Sequence, residues 1–136
     1  MLKVVSGIVI NPNKKILVAE CLPGPDKTGY WEFPGGKSEP NESSYETLQR
    51  ELEEEIGIKV TQAIFWKTIE YKYPSKHVVL DLWFVHQYKG EVASLIGQKL
   101  DWVEAQNLHQ VNFLPGNLQI IENLKTALSE CRVDKA

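Results

Sequence analysis

The chain has two cysteines, Cys21 and Cys131, a single methionine and no excess of basic residues. Cysteines this few and this far apart suggest neither a disulfide scaffold nor a metal knuckle, and a reduced, cytoplasmic setting is the default. Fifteen Lys and Arg against eighteen Asp and Glu leave a net charge of −3, so the protein has no broad attraction for nucleic acid and a stable nucleic-acid partner is not expected. A phosphate-bearing ligand must therefore be held by local features. Long apolar runs are missing too. Met1 to Ile10 is broken by Lys3, Ser6 and Gly7 and lacks a signal-peptide cleavage pattern, so it reads as a strand and no membrane association is expected. With no linker, internal repeat or low-complexity segment, the 136 residues read as one domain.

What is present in excess is acid at one place. Gly35 to Glu42 is a glycine-rich turn that runs into Ser43 to Ile58. Ser43 is a good N-cap and Glu46 three residues later completes a capping box, so a helix begins at about Ser44. Gly57 ends it in a left-handed conformation. Tyr45, Leu48, Leu52 and Ile56 recur at helical spacing as the buried stripe, and Glu51, Glu54 and Glu55 share the face beside it. Like charges at these spacings repel, and acids near a helix C-terminus oppose its dipole. A hard divalent cation such as Mg2+ suits such carboxylates, and Gly35 and Gly36, lacking a Cβ, let the backbone approach that ion or a phosphate. On its own a glutamate-rich helix is more often a solvated face. The full spacing argues otherwise. Gly36, five residues, Glu42, seven residues, Arg50-Glu51-Leu52, one residue, Glu54-Glu55, one residue, Gly57-Ile58 resembles the signature box of the Nudix hydrolase superfamily at every fixed position.

Elsewhere, Lys3 to Ile10 and Lys15 to Cys21 read as a hairpin and Tyr30 to Phe33 as a short aromatic strand. Lys59 to Tyr71 and His77 to Tyr88 form a second hairpin, with Val78, Leu80, Leu82 and Phe84 on one side. Leu100 to Glu104 is a last strand and Ala105 to Leu108 a helical turn. A helix starts at Asn117 with Ile120, Ile121, Leu124 and Leu128 buried, and Ser129 to Ala136 frays. His77 and His86 have no partner at ligand spacing. This order predicts an α+β fold, a mixed sheet with a helix on each face, which agrees with the α/β/α sandwich that the resemblance implies.

The resemblance extends to Trp31-Glu32-Phe33-Pro34-Gly35-Gly36-Lys37, to Ile69 to His77 and to Leu114-Pro115-Gly116-Asn117, which are similar to the MutT branch of the superfamily, the 8-oxo-dGTP diphosphatases. It implies a Mg2+ ion, with Mn2+ as the alternative, held by the Gly35 carbonyl, Glu51, Glu54 and Glu55. Arg50 orients a box glutamate, and Glu51 or Glu54 takes the proton from water. Gly36 and Lys37 meet the substrate, Phe33 and Tyr73 line the base pocket, Lys76 stands where the branch carries an arginine, and Asn117 reads the purine edge. From local sequence alone core packing is the commoner role for Phe33, and an ordinary helix cap the commoner one for Asn117. The implied activity is conversion of a purine nucleoside triphosphate, 8-oxo-dGTP foremost, to the monophosphate and pyrophosphate by a monomeric enzyme that cleans the nucleotide pool. Other nucleotide substrates, or a binding module without turnover, are the alternatives. Two positions depart from the branch. Glu20 and Cys21 stand where it has paired arginines, and Ile96 where it has a loop acid, for which Asp101 or Glu91 could substitute in space.

Overall fold

The computed structural model describes residues 1–130. A four-stranded mixed sheet is formed by β1 (Leu2–Val9), β4 (Gly35–Lys37), β5 (Lys59–Tyr73) and β6 (Lys76–Lys89), in the order β4-β1-β6-β5. β1 runs parallel to β6, and its other edge is taken by β4. A second, three-stranded antiparallel sheet contains β2 (Lys15–Glu20), β3 (Trp31–Glu32) and β7 (Leu100–Glu104), in the order β3-β2-β7.

This arrangement corrects two expectations. The opening hairpin is reduced to a single bridge, Ile10 to Ile16, because both edges of β1 are already paired and β2 finds its partners in the other sheet. The glycine segment is also more than a turn, since Gly35–Lys37 pairs with Val4–Ser6 as an edge strand. The second hairpin forms as expected and is longer, closing at Pro74-Ser75 with Tyr73 opposite Lys76.

β1 shows how the layers assemble. Alternate side chains of a strand face opposite ways. Val5 and Val9 pack with Leu48, Leu52 and Ile56 of helix α1 (Ser44–Ile56), while Ile8 packs on the other side with Ile120 and Leu124 of helix α2 (Pro115–Glu130). Each of these side chains is fully buried. Truncation of one, Leu52→Ala for example, costs about 2–5 kcal/mol. α1 starts and stops where the sequence indicates. Ser43 accepts the Glu46 N–H at 3.1 Å, Glu46 accepts the Ser43 N–H at 2.9 Å, and Gly57 has φ 73°. The Trp83 indole donates to Ser44 Oγ at 2.8 Å and so pins the N-terminus of α1 to β6.

A 3-10 turn over Ala105–Gln110 precedes α2. α2 begins two residues earlier than expected, at Pro115, whose missing N–H suits the first helical position. It includes Ser129 and Glu130, and the rest of the expected frayed tail lies outside the described residues, as does Cys131. Among the described residues no helix is long and apolar enough to cross a membrane.

Candidate active site

Where β1, β4, the end of α1, the β5-β6 hairpin and the start of α2 meet, they enclose a cleft of about 350 Å³. Of the residues singled out from sequence, Gly35, Gly36, Lys37, Glu51, Glu55, Tyr73, Lys76 and Asn117 line it. Phe33, Arg50 and Glu54 do not.

The acidic wall comes from α1. Glu51 lies directly against Gly36, where any Cβ would overlap its carboxylate. A Cβ on Gly35 would strike the Val5 carbonyl oxygen and approach Ser6 Cα to 2.7 Å, so this edge strand reaches β1 only as glycine. Burial, and then the neighbouring Glu51, push the Glu55 carboxyl up to about 8, although the Gly35 N–H beside it favours the charged form. Two carboxyl groups in a partly buried place thus keep a proton for want of another positive partner. Their hard oxygen donors fit a divalent cation of the Mg2+ type. Among the described residues no three His, Cys, Asp or Glu side chains already converge on one point. Glu54 is turned to the Arg50 guanidinium, 3.1 Å away, instead of into the cleft.

Arg50 is the hub behind this wall. Its Nε and Nη2 donate to the two oxygens of Glu42 at 2.7 and 2.9 Å, Nη1 donates to Glu51 at 2.8 Å, and Nη2 also reaches the Lys37 carbonyl at 2.9 Å. The bidentate partner is therefore Glu42, with Glu51 and Glu54 held by single bonds. Arg50, then Thr47 at 2.6 Å and the Glu39 N–H at 3.0 Å, bring the Glu42 carboxyl down to about 2. Sequence reasoning took Glu42 only as a box position. Nothing periodic links it to Arg50, which it meets across the turn into α1.

The opposite wall is apolar. Leu2 and Val4 on β1 are register partners of Val78 and Leu80 on β6, and all four line the cleft. Tyr73 accepts the Gly116 N–H on its hydroxyl at 2.9 Å and so ties the start of α2 to the hairpin. One residue on, Asn117 is 5% exposed and its Oδ1 has no hydrogen-bond partner. It is the third residue of α2 and not its cap, its own N–H bonding the Leu114 carbonyl at 2.8 Å. A buried, unpaired amide oxygen is costly unless a ligand supplies the missing donor. Phe33 proves to be a core residue, 1% exposed and 5.0 Å from the Phe113 ring, and this corrects its placement in the base pocket.

Glu20 and Ile96 line the cleft, whereas Asp101 and Glu91 lie in other depressions and do not stand in for the loop acid. Buried Gln98 lines the cleft near there, its side-chain oxygen accepting from Ser94 at 2.6 Å. Cys21 is free and buried, and desolvation, then Glu32, push its thiol up to about 12. Glu32 itself lines the cleft with its carboxyl raised by burial, a feature hidden in sequence because it lies in an aromatic strand. The His77 imidazole lies 3.2 Å from Glu70, and neither it nor His86 lines the cleft.

A NUDIX domain family model matches residues 1–124, a span that contains the whole cleft. The chain belongs to the Nudix hydrolase family. Its relatives include the 8-oxo-dGTP diphosphatase of Escherichia coli K12, 32% identical over 124 residues that make up 91% of this chain and 96% of that one. The CTP pyrophosphohydrolase of the same organism is 33% identical, over 90% of each chain. A solved MutT, from work on Aliivibrio salmonicida and Vibrio cholerae, superposes with a TM-score of 0.77 at 32% identity, over 90% of this chain and 94% of that one. This Nudix hydrolase is therefore an enzyme of a family that generally uses a divalent cation on small nucleotide substrates.

Proposed function

We propose that this Nudix hydrolase converts a purine nucleoside triphosphate, 8-oxo-dGTP foremost, and water to the nucleoside monophosphate and pyrophosphate. The observation that carries this reading is the unpaired, buried amide oxygen of Asn117 beside an apolar strip, in the same cleft as the Glu51 and Glu55 carboxyl pair. The strip suits a flat base, and an amide offers both the acceptor and the donor needed to read a purine edge. Tyr73 completes the base pocket.

Glu51, Glu55 and the Gly35 carbonyl would hold the cation, and Glu54 would be a further ligand if it left Arg50. Mg2+, or Mn2+ in its place, when bound neutralises the triphosphate and favours attack at phosphorus. Arg50 positions Glu51, which removes a proton from the attacking water as the anhydride oxygen departs with pyrophosphate. Lys37 and Lys76 balance charge on the phosphates, and Gly36 leaves room for them. Loss of pyrophosphate release in Glu51→Gln that raised Mg2+ does not restore, against a loss in Glu54→Gln that raised Mg2+ does restore, would assign the proton to Glu51. The enzyme acts as a monomer in the cytoplasm, on the free nucleotide pool.

A second reading, a pyrimidine triphosphate such as CTP, has support of its own. One relative at 33% identity is named a CTP pyrophosphohydrolase, and an amide also complements the cytosine edge. Comparison of kcat/KM for 8-oxo-dGTP, dGTP and CTP with Mg2+ separates the two. The purine reading expects 8-oxo-dGTP to lead by about tenfold or more. A lead for CTP overturns it.

A further inference from the structure

Three lysines line the cleft from three separate segments: Lys27 in the loop after β2, Lys37 at the end of β4 and Lys76 at the start of β6. Among the described residues none of them forms a salt bridge. Lys27 and Lys76 are partly buried, and burial, then repulsion from Lys27 and Lys37, makes Lys76 easier to deprotonate. Like charges brought together in a partly buried place repel, and a ligand of opposite sign relieves that repulsion.

The loop carrying Lys27 is fixed in place. Asp26 accepts hydrogen bonds from the Ser75 N–H, at 2.9 Å, and from the Ser75 hydroxyl. Each residue immediately precedes one of the lysines, so this contact brings Lys27 close enough for Lys76 to feel its charge. Within the loop, the Lys27 N–H bonds the Gly24 carbonyl at 3.1 Å, and the Lys27 carbonyl accepts the Tyr30 N–H at 3.0 Å. The end of β2 offers no cation of its own, since the strand ends at Glu20 and Cys21 follows it. Lys27 acts on Glu32 and Cys21 as well as on Lys76, and its charge favours the ionised carboxyl and thiol.

We infer that Lys27 is a phosphate-binding residue of the substrate site, held in reach of the nucleotide's phosphates by the Asp26 to Ser75 contact. The inference rests on the proposed nucleotide substrate but not on which base that substrate carries. It requires an anionic phosphate chain long enough to meet Lys27 while the base lies on the apolar strip.

The test is calorimetric titration of the full chain, with Mg2+ present, using nonhydrolysable purine and pyrimidine triphosphates and the corresponding nucleosides. Lys27→Ala should weaken both triphosphates by about tenfold and leave nucleoside affinity within about twofold, as expected for loss of one charged hydrogen bond. Lys27→Arg should restore most of the affinity. Asp26→Ala should weaken triphosphate binding in the parent and add little once Lys27 is alanine, because the two act through one contact. Unchanged triphosphate affinity in Lys27→Ala overturns the inference, as does an equal loss for triphosphate and nucleoside. A parent that prefers the pyrimidine triphosphate refutes the purine reading alone, and the lysine is then judged on that ligand.

Discussion

Arg50 grips Glu42 with two parallel hydrogen bonds, Nε to Oε2 at 2.7 Å and Nη2 to Oε1 at 2.9 Å, and points its third nitrogen at Glu51. A planar guanidinium bonded on one side in this way presents its remaining donor in a fixed direction. Glu42 therefore acts on the cleft through Arg50. Glu42→Gln keeps the size and removes the charge, and it should lower kcat by about a hundredfold while KM moves little, since misplacement of a reacting group acts mainly on the chemical step. Steady-state kinetics on the preferred triphosphate decide this, and a change confined to KM would place Glu42 in substrate binding.

Glu55, lying beside Glu51, makes stability depend on pH in a direction that can be worked out. In the unfolded chain Glu55 titrates near 4.5, and in the fold it is pushed up to about 8. Between those values the folded state holds the extra proton, so stability present below the lower value is lost as pH rises through the upper one. Without metal, Tm should fall from about pH 5 to about pH 8, and Glu55→Gln should flatten that fall. Added Mg2+ should raise Tm most at the alkaline end. A melting curve indifferent to both pH and Mg2+ in this range would show that the pair is not the ion site.

Asn117→Leu separates recognition from structure. The amide oxygen is unpaired in the fold, so an apolar side chain of similar volume should leave Tm unchanged or raise it slightly. Turnover of the preferred nucleotide should drop by about tenfold to a hundredfold, the cost of losing directed hydrogen bonds to a base edge. A fall in Tm with unaltered selectivity would make Asn117 a structural residue only.

Gly35→Ala places a methyl group against the Val5 carbonyl. Edge strand β4 must then move from β1, at a cost of about 1–3 kcal/mol in urea unfolding, and Gly36 and Glu51 move with it. Equal stability and activity in this variant would show that the close approach is dispensable.

Both ends of helix α1 were legible, because its cap and its terminating glycine are local signals, and so were Leu48, Leu52 and Ile56 of its stripe, although Thr47 is buried there and Tyr45 only partly so. The β5-β6 hairpin was legible for the same reason, and the mixed sheet from the order of strands and helices. The partition of β1 and β2 into different sheets was not, since nothing in the run Lys3 to Cys21 reveals that β4 and β6 occupy both edges of β1. At the site, the box identified the carboxylates but not their division, with Glu51 and Glu55 in the cleft and Glu54 on Arg50. Phe33 was misplaced because an aromatic residue beside a glycine turn looks the same in sequence whether it faces ligand or core. Lys27 and Glu32 went unassigned, for each reaches the cleft only through long-range pairing, of Asp26 with Ser75 and of β3 with β2.

The most direct test is a crystal grown with Mn2+ and a nonhydrolysable triphosphate of the preferred nucleotide, read from the anomalous signal of the ion. The expected result is a peak held by Glu51 and Glu55, phosphates between that ion and the lysines, and the base on the Leu2, Val4, Val78 and Leu80 strip with Asn117 at its edge. A bound nucleotide with no anomalous peak at that carboxyl pair would contradict the account.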